Sequence, residues 1–294
     1  MLGDLHRAKL SRGRMLVKIA SDNGVDLGAA EEAAVGLELV HLATLVHDDV
    51  IDDADLRRDR ANLRSQRGDR AAILCGDFLF SASIRQIQAT QPETSAKIFT
   101  EQVEDTCRGE SIQDLMLTWE DSQPTMELLE QAARGKTGAL FSYCTQAPLA
   151  LDVGKFSEQL PKAKECGYLC GLGFQLADDL LDIAGSESDL GKPAGNDLVK
   201  NTMTIPLFLF MKELGLDWAA LRERYVNRRE LLGEDFKSSN AKGLLEKRLK
   251  ELRLKLFELG EELEENGVVM IETLQIFWSR YVEGRMAVYA DSRD

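Results

Sequence analysis

Cysteine, proline and histidine are scarce in this chain, at five, six and three residues among 294. Cys75, Cys107, Cys144, Cys166 and Cys170 are odd in number and form no zinc spacing with the histidines. Neither a disulfide framework nor a structural zinc site is therefore expected, and the usage suits a reducing, cytoplasmic setting. Cys166 and Cys170 share a helix face and read as buried core thiols. No apolar run reaches the length of a membrane span, and the opening MLGDLHRAKL lacks the apolar core of a secretory signal. Basic residues are outnumbered 36 to 50, a formal charge of −14, which argues against nucleic acid or anionic lipid as a partner. A negatively charged substrate would need local cations or a metal ion to offset that field.

What the chain does have is apolar residues at helical spacing, within a hydrophobic content of 44%. An all-α fold follows, with no linker-like stretch to divide it, so one domain over 1–294 is expected. The densest helix should run from Glu31 to Asp53, followed by a loop from Ala54 to Asp69 and a second apolar helix from Arg70. A helix carrying Glu110 and Gln113 is expected between Pro92 and Pro124, and further helices over Gly135–Ala150 and from Pro161 to Gly185. Gly and polar residues make Gly185 to Pro206 a mobile loop. Leu245, Leu249, Leu252, Leu256, Leu259 and Leu263 alternate spacings of four and three. That stripe reads as a packing helix on the same domain, with a short coiled-coil seam as the alternative.

Two segments nearly repeat one another. LVHDDVID places Asp48, Asp49 and Asp52 at the end of one apolar helix, and QLADDLLD places Asp178, Asp179 and Asp182 at the end of another. Residues four apart share a helix face, so Asp48 points with Asp52 and Asp178 with Asp182. Their like charges repel, and the helix dipole at a C-terminus disfavours anions further. A bound divalent cation would relieve both penalties. Mg²⁺ suits best, because it takes one or two carboxylates and completes its shell with water and phosphate. In a chain with 50 acidic residues one such cluster would be an ordinary solvated helix end; two on apolar helices point to a metal site. An EF-hand is excluded by the missing loop glycine and terminal glutamate.

Basic residues follow each cluster. Arg57, Arg58, Arg60, Arg64, Arg67 and Arg70 crowd the segment after the first. Guanidinium groups beside metal-binding carboxylates suit phosphate oxygens, which they grip bidentately. That role is expected of Arg57 and Arg58, with Arg60, Arg64 and Arg67 pairing with nearby aspartates. Lys136 in RGKTGALF and Lys192 in GKPAGND are further candidates, Lys192 sitting in a loop fit to close over a diphosphate. No Ser-His-Asp or Cys-His set for nucleophilic catalysis stands out.

Together these residues resemble the trans-isoprenyl diphosphate synthase, or polyprenyl synthetase, family. HDDVIDDADLRR is similar to its first aspartate-rich motif with the arginine pair, GFQLADDLLDI to the second, and GKPAGNDL to the lysine loop behind it. GESIQ, KTGALF and CGDFLF match in order and spacing, over residues 31 to 206. The resemblance implies an antiparallel helical bundle around a deep central cavity, a homodimer, and Mg²⁺-dependent condensation of an allylic prenyl diphosphate with isopentenyl diphosphate. It implies that Asp48, Asp52 and Asp178 ligate Mg²⁺, with Asp49, Asp179 and Asp182 in or just outside the metal shell. By the same resemblance Arg57, Lys136 and Lys192 bind the allylic diphosphate, Arg58 and His41 hold isopentenyl diphosphate, and Thr137 and Gln175 line the reacting carbon.

Two segments depart from the family pattern. KLSRGRMLVKIA stands where a GGKRLRP-like segment is usual, leaving Arg12 or Arg14 to replace its basic residues. Thr202 falls where the family has a lysine, with Lys200 nearby. Small residues before the first cluster, Ala43 and Thr44, with Ser81 and Ala82 on the neighbouring helix, imply a medium or long product in this family. Two other readings remain: a noncatalytic partner subunit of a heteromeric synthase, which would be expected to lose a cluster, and a terpene cyclase, whose second motif normally differs.

Overall fold

Asp26 sets the start of the helix that carries the first cluster. Its side chain accepts from Ala29 N at 3.1 Å, so the helix begins at Leu27, four residues before the position expected from periodicity. The computed structural model describes residues 10–57, 60–117, 124–184 and 195–291, the last four by backbone alone. Those residues are overwhelmingly helical; a hairpin of β1 (Leu56–Arg57) and β2 (Arg60–Ala61) forms the one sheet among them.

Helix α1 (Ser11–Asn23) leads into α2 (Leu27–Ile51), the hairpin, the short α3 (Leu63–Arg67) and α4 (Asp69–Thr90). The segment expected to be loop thus holds a hairpin and a helical turn, the latter capped by Asn62 on Ser65 N at 2.9 Å. Helices α2 and α4 run antiparallel: Gly36 meets Ile87 at one end, and Gly76 meets the His47 ring at the other. Next come α5 (Glu93–Ser111), α6 (Met126–Ala133), α7 (Ala139–Ala150), the single turn α8 (Val153–Phe156) and α9 (Leu160–Ala184). Beyond the second cluster lie α10 (Asn196–Val199), α11 (Ile205–Glu213), α12 (Trp218–Tyr225), α13 (Arg229–Lys237), α14 (Asn240–Glu265), α15 (Ile271–Trp278) and α16 (Gly284–Asp291).

Every residue of α7 is buried, because α1, α5 and α9 all pack around it. Cys144, Cys166 and Cys170 lie in this apolar centre and are fully buried. The leucine stripe of α14 resolves as a packing face: Leu245, Leu249, Leu252, Leu256 and Leu263 are buried, and the helix lies against α9, α11 and α15. No helix among the described residues is long and apolar enough to cross a membrane.

Among the described residues three π turns interrupt the regular helices, at Ile112–Met116 after α5, Arg134–Gly138 between α6 and α7, and Ser279–Glu283 between α15 and α16. Each is confined to one turn, too short a window for apolar spacing to reveal. The turn at Arg134–Gly138 depends on close backbone crossings. A methyl group added at Gly109 would stand 2.1 Å from Lys136 N, and one at Gly171 would stand 2.3 Å from Gly138 Cα. Gly109→Ala should therefore force α5 away from that turn and cost about 1–3 kcal/mol. Chemical denaturation measures it; an unshifted midpoint would show that the crossing has slack.

Candidate active site

The last turn of α2 presents its three aspartates in different environments. Asp49 is buried; Arg57 on β1 donates to its Oδ1 from Nε at 2.8 Å, and Nη2 lies 2.8 Å from the same oxygen. Asp52 caps the helix end and is exposed; Lys200 Nζ approaches its Oδ2 at 2.8 Å. Asp48 is half-buried. Burial pushes the Asp48 carboxyl above its ordinary range; Asp52 and Asp114 push the same way, and Lys136 and Arg57 oppose them.

The second cluster lies in the last two turns of α9. Asp178 is exposed, whereas Asp179 and Asp182 are buried. Asp179 Oδ1 accepts from Gln175 Nε2 at 2.7 Å. Its carboxyl is nevertheless pushed well up, first by burial and then by Asp197, Asp178 and Asp182. Asp182 holds the returning chain: its Oδ2 accepts from Asp197 N at 2.9 Å. Arg285 on α16 reaches Asp178 Oδ1 at 3.3 Å.

The π turn at Arg134–Gly138 stands between the two clusters. Lys136 donates to Glu110 Oε2 at 2.8 Å and lies in the field of Asp48 and Asp114. Burial alone would lower Lys136, but Glu110, Asp48 and Asp114 together raise it well above its ordinary value, so it stays charged. Thr137, the next residue, donates to Gln175 Oε1 at 2.5 Å, and Gln175 passes the chain on to Asp179. One turn therefore touches the first cluster electrostatically and the second through two hydrogen bonds. Lys200 makes a second link, since it follows α10 beyond the second cluster yet pairs with the first. A small pocket opens beside Asp179, with Gln113, Gln175 and Thr204 on its polar side and Leu117, Leu129 and Met203 on its apolar side.

His41 faces a separate cation. Arg12 Nη1 lies 2.9 Å from His41 Nε2, and the guanidinium sits 4.6 Å over the Phe141 ring. Arg14, two residues on, is exposed on α1. Of the two arginines left open by the sequence, Arg12 is the one that joins His41. Arg58 and Lys192 lie outside the described residues, as does 185–194 of the expected loop; its remainder, 195–206, includes the helical turn α10.

Sequence reasoning gave no site role to Glu110, Asp114 or Arg285. Glu110 and Asp114 stand four apart, the same carboxylate signal that marks Asp48 and Asp52, and it was available in GESIQD. Arg285 has no such signal, since only the packing of α16 on α9 brings it to Asp178.

The donors at the two helix ends are carboxylate oxygens, a set that suits a hard cation. Among the described residues no three carboxylates, thiols or imidazoles gather into a complete metal ligand set. An ion held here would draw further ligands from water or a bound anion. Anions crowded at low dielectric and only partly offset by local cations are what such an ion relieves.

An all-α bundle with acidic helix ends flanking one basic turn has the isoprenoid synthase fold. The crystal structure of heptaprenyl diphosphate synthase from Staphylococcus aureus superposes with a TM-score of 0.80 at 27% identity, covering 93% of this chain and 88% of that one. The profile of the Polyprenyl synthetase family matches residues 5–237, and the chain belongs to that family. Heptaprenyl diphosphate synthase component 2 of Geobacillus stearothermophilus is 36% identical over 188 residues, which are 64% of this chain and 58% of that protein. Octaprenyl diphosphate synthase of Escherichia coli is 30% identical over 241 residues, 81% of this chain and 74% of that protein. The chain spans 58% and 54% of the two component 2 relatives it matches.

Glu110 supplies a pH test. Burial, with Asp48 and Asp114, pushes its carboxyl up to about 7 against the pull of Lys136. A carboxyl raised in the folded state contributes stability that is full below its unfolded value and lost as pH rises through the folded one. The wild type should lose stability relative to Glu110→Gln between about pH 4.5 and 7. Denaturation midpoints at pH 5 and 8 read this; a pH-independent difference between the two proteins would refute it.

Proposed function

We propose that this chain is a Mg²⁺-dependent trans-polyprenyl diphosphate synthase, one that joins isopentenyl diphosphate to an allylic prenyl diphosphate and makes a medium or long product. The observation that carries this reading is the shared π turn. Lys136 and Thr137 reach toward both carboxylate clusters, so a single polyanion could span the ends of α2 and α9.

Asp48, Asp52 and Asp178 would hold Mg²⁺, with Asp49, Asp179 and Asp182 in or beside the shell. The buried Asp49 is already engaged by Arg57 and Asp182 by the backbone of Asp197, which suits them to support rather than direct ligation. When bound, the metal neutralises the negative charge that builds on the leaving diphosphate. The chain's own contribution is positional and electrostatic. Lys136 remains charged at neutral pH and faces the place where that anion would lie. Arg57 and Lys192 belong to the same group, and Lys200 stands in for the family lysine at Thr202, because it already reaches the first cluster. Thr137 and Gln175 orient their dipoles beside the reacting carbon. Isopentenyl diphosphate would be held by Arg12 and His41, with Arg58 and Arg14 flanking. Its double bond is the nucleophile, and the departing diphosphate can take the proton, so no protein nucleophile is needed.

Ala43 is fully buried and Thr44 half-buried on α2. Ser81 is exposed in the chain. Between the contacts of Gly36 with Ile87 and of Gly76 with His47, the buried α4 residue level with Ala43 is Leu79. We place the lower limit of chain growth at Ala43 and Leu79. The chain would work as a single domain in a homodimer, for which Leu74 and Phe78, exposed four residues apart on α4, offer an apolar face. Two intact carboxylate clusters argue against a noncatalytic partner subunit.

Purified protein with Mg²⁺, isopentenyl diphosphate and allylic primers of several lengths should turn over alone. Asp48→Ala should lower that rate by about 10²–10³-fold, the scale for losing one preorganised electrostatic contributor. Turnover that appears only after a second chain is added would replace this reading with the partner-subunit one. Ala43→Phe should shorten the product; an unchanged product spectrum would remove Ala43 from the channel.

A further inference from the structure

Among the described residues, only the second of the two carboxylate clusters receives a cation from the C-terminal helix. Asp178 is its exposed member, with a side chain 55% accessible, and Arg285 Nη2 stands 3.3 Å from its Oδ1. The guanidinium also lies 4.0 Å over the ring of Phe174, one helical turn before Asp178 on α9. A third contact fixes its direction: Nη1 donates to the backbone oxygen of Tyr281 at 2.8 Å. Arg285 is thus held by a ring, a carbonyl and a carboxylate, and its own side chain is only 22% accessible.

The surrounding structure is built to deliver that contact. Trp278 at the end of α15 packs where α9 has a glycine, since a methyl group on Gly173 would stand 2.6 Å from the indole. Phe277, Tyr281 and Phe174 form a contiguous group of rings, with Phe277 and Tyr281 centred 5.2 Å apart. The π turn Ser279–Glu283 then adds one residue before α16, which alters the face that α16 turns to α9. The rings suffice to dock α15. The charged contact to Asp178 adds little to stability at that exposure, yet it occupies an oxygen that a metal ion would need.

We propose that Arg285 is a tethered counter-ion that holds Asp178 in the metal-free protein and must yield it when a divalent cation loads, so that the C-terminal helix α16 opposes metal binding. This rests on the reading of the clusters as a metal site. Guanidinium and metal are both cations, so their repulsion at one carboxylate makes each weaken the other's hold on Asp178. Metal loading therefore releases Arg285 from Asp178 and loosens α16, while Trp278 and the ring group keep α15 docked. Arg285 acts through Asp178 and is a positioning residue.

The test uses Mn²⁺ as the probe, with and without inorganic pyrophosphate, and needs no turnover. Calorimetry should show Arg285→Gln binding Mn²⁺ about fivefold more tightly than the wild type, the factor expected for loss of one partly exposed ion pair. Phe174→Leu, which removes the stacking surface and keeps the charge, should shift affinity the same way by less. Unchanged tryptophan emission and an unchanged melting midpoint establish that each variant is folded. Hydrogen exchange over 284–291 should quicken in the wild type when Mn²⁺ and pyrophosphate are added. Equal or weaker Mn²⁺ binding by folded Arg285→Gln, with no change in exchange, overturns the counter-ion role and leaves the metal site standing. Absence of Mn²⁺ binding by the wild type under both conditions removes the metal site itself, and the inference with it.

Discussion

Carboxylates gathered away from water are the constraint on which the rest of this molecule depends. Six aspartates stand at the ends of α2 and α9, and Glu110 and Asp114 add to the same field. Burial raises the cost of ionising Asp48, Asp179, Glu110 and Asp114, and neighbours of like sign raise it further. The protein answers with cations drawn from separate parts of the chain: Arg57 from the hairpin, Lys136 from a π turn, Lys200 from beyond the second cluster and Arg285 from the C-terminal helix. Each pairing is local, but together they fix how four segments distant in sequence approach one another.

Packing serves that arrangement. Lys136 can stand between the clusters because Gly109, Gly135, Gly138 and Gly171 let three helices cross almost backbone to backbone. The wholly buried α7 follows directly from the same turn, so the charged site grows out of the most apolar element in the bundle. Low dielectric on that side strengthens the interactions of Lys136, Thr137, Gln175 and Asp179 and makes an unpaired member costly.

Much of this was legible in the residues alone. The all-α class, the two clusters near helix C-termini, and the packing role of the leucine stripe on α14 all follow from periodicity and from charge on apolar helices. Family motifs extended that to a fold shared with solved polyprenyl synthases. Where spacing misled, the cause was local and specific. Asp26 caps α2 earlier than its apolar pattern begins, and the arginine segment folds into a hairpin and a capped turn where its composition reads as loop. The choice between Arg12 and Arg14 was open because KLSRGRMLVKIA aligns ambiguously with the family's basic segment, and only the position of Phe141 and His41 selects one.

The sequence by itself determined which residues carry charge, which faces are apolar and how far apart along the chain the acidic repeats lie. Those are properties of short windows, set by covalent spacing and helical period. Only the tertiary structure decided which cation meets which carboxylate. Arg285 lies 107 residues from Asp178 and Lys200 lies 148 from Asp52 by their numbering, and nothing local encodes either pairing. Those meetings come from glycine crossings, π turns and ring packing that orient whole helices, and such orientation is a sum over many contacts that no single motif contains.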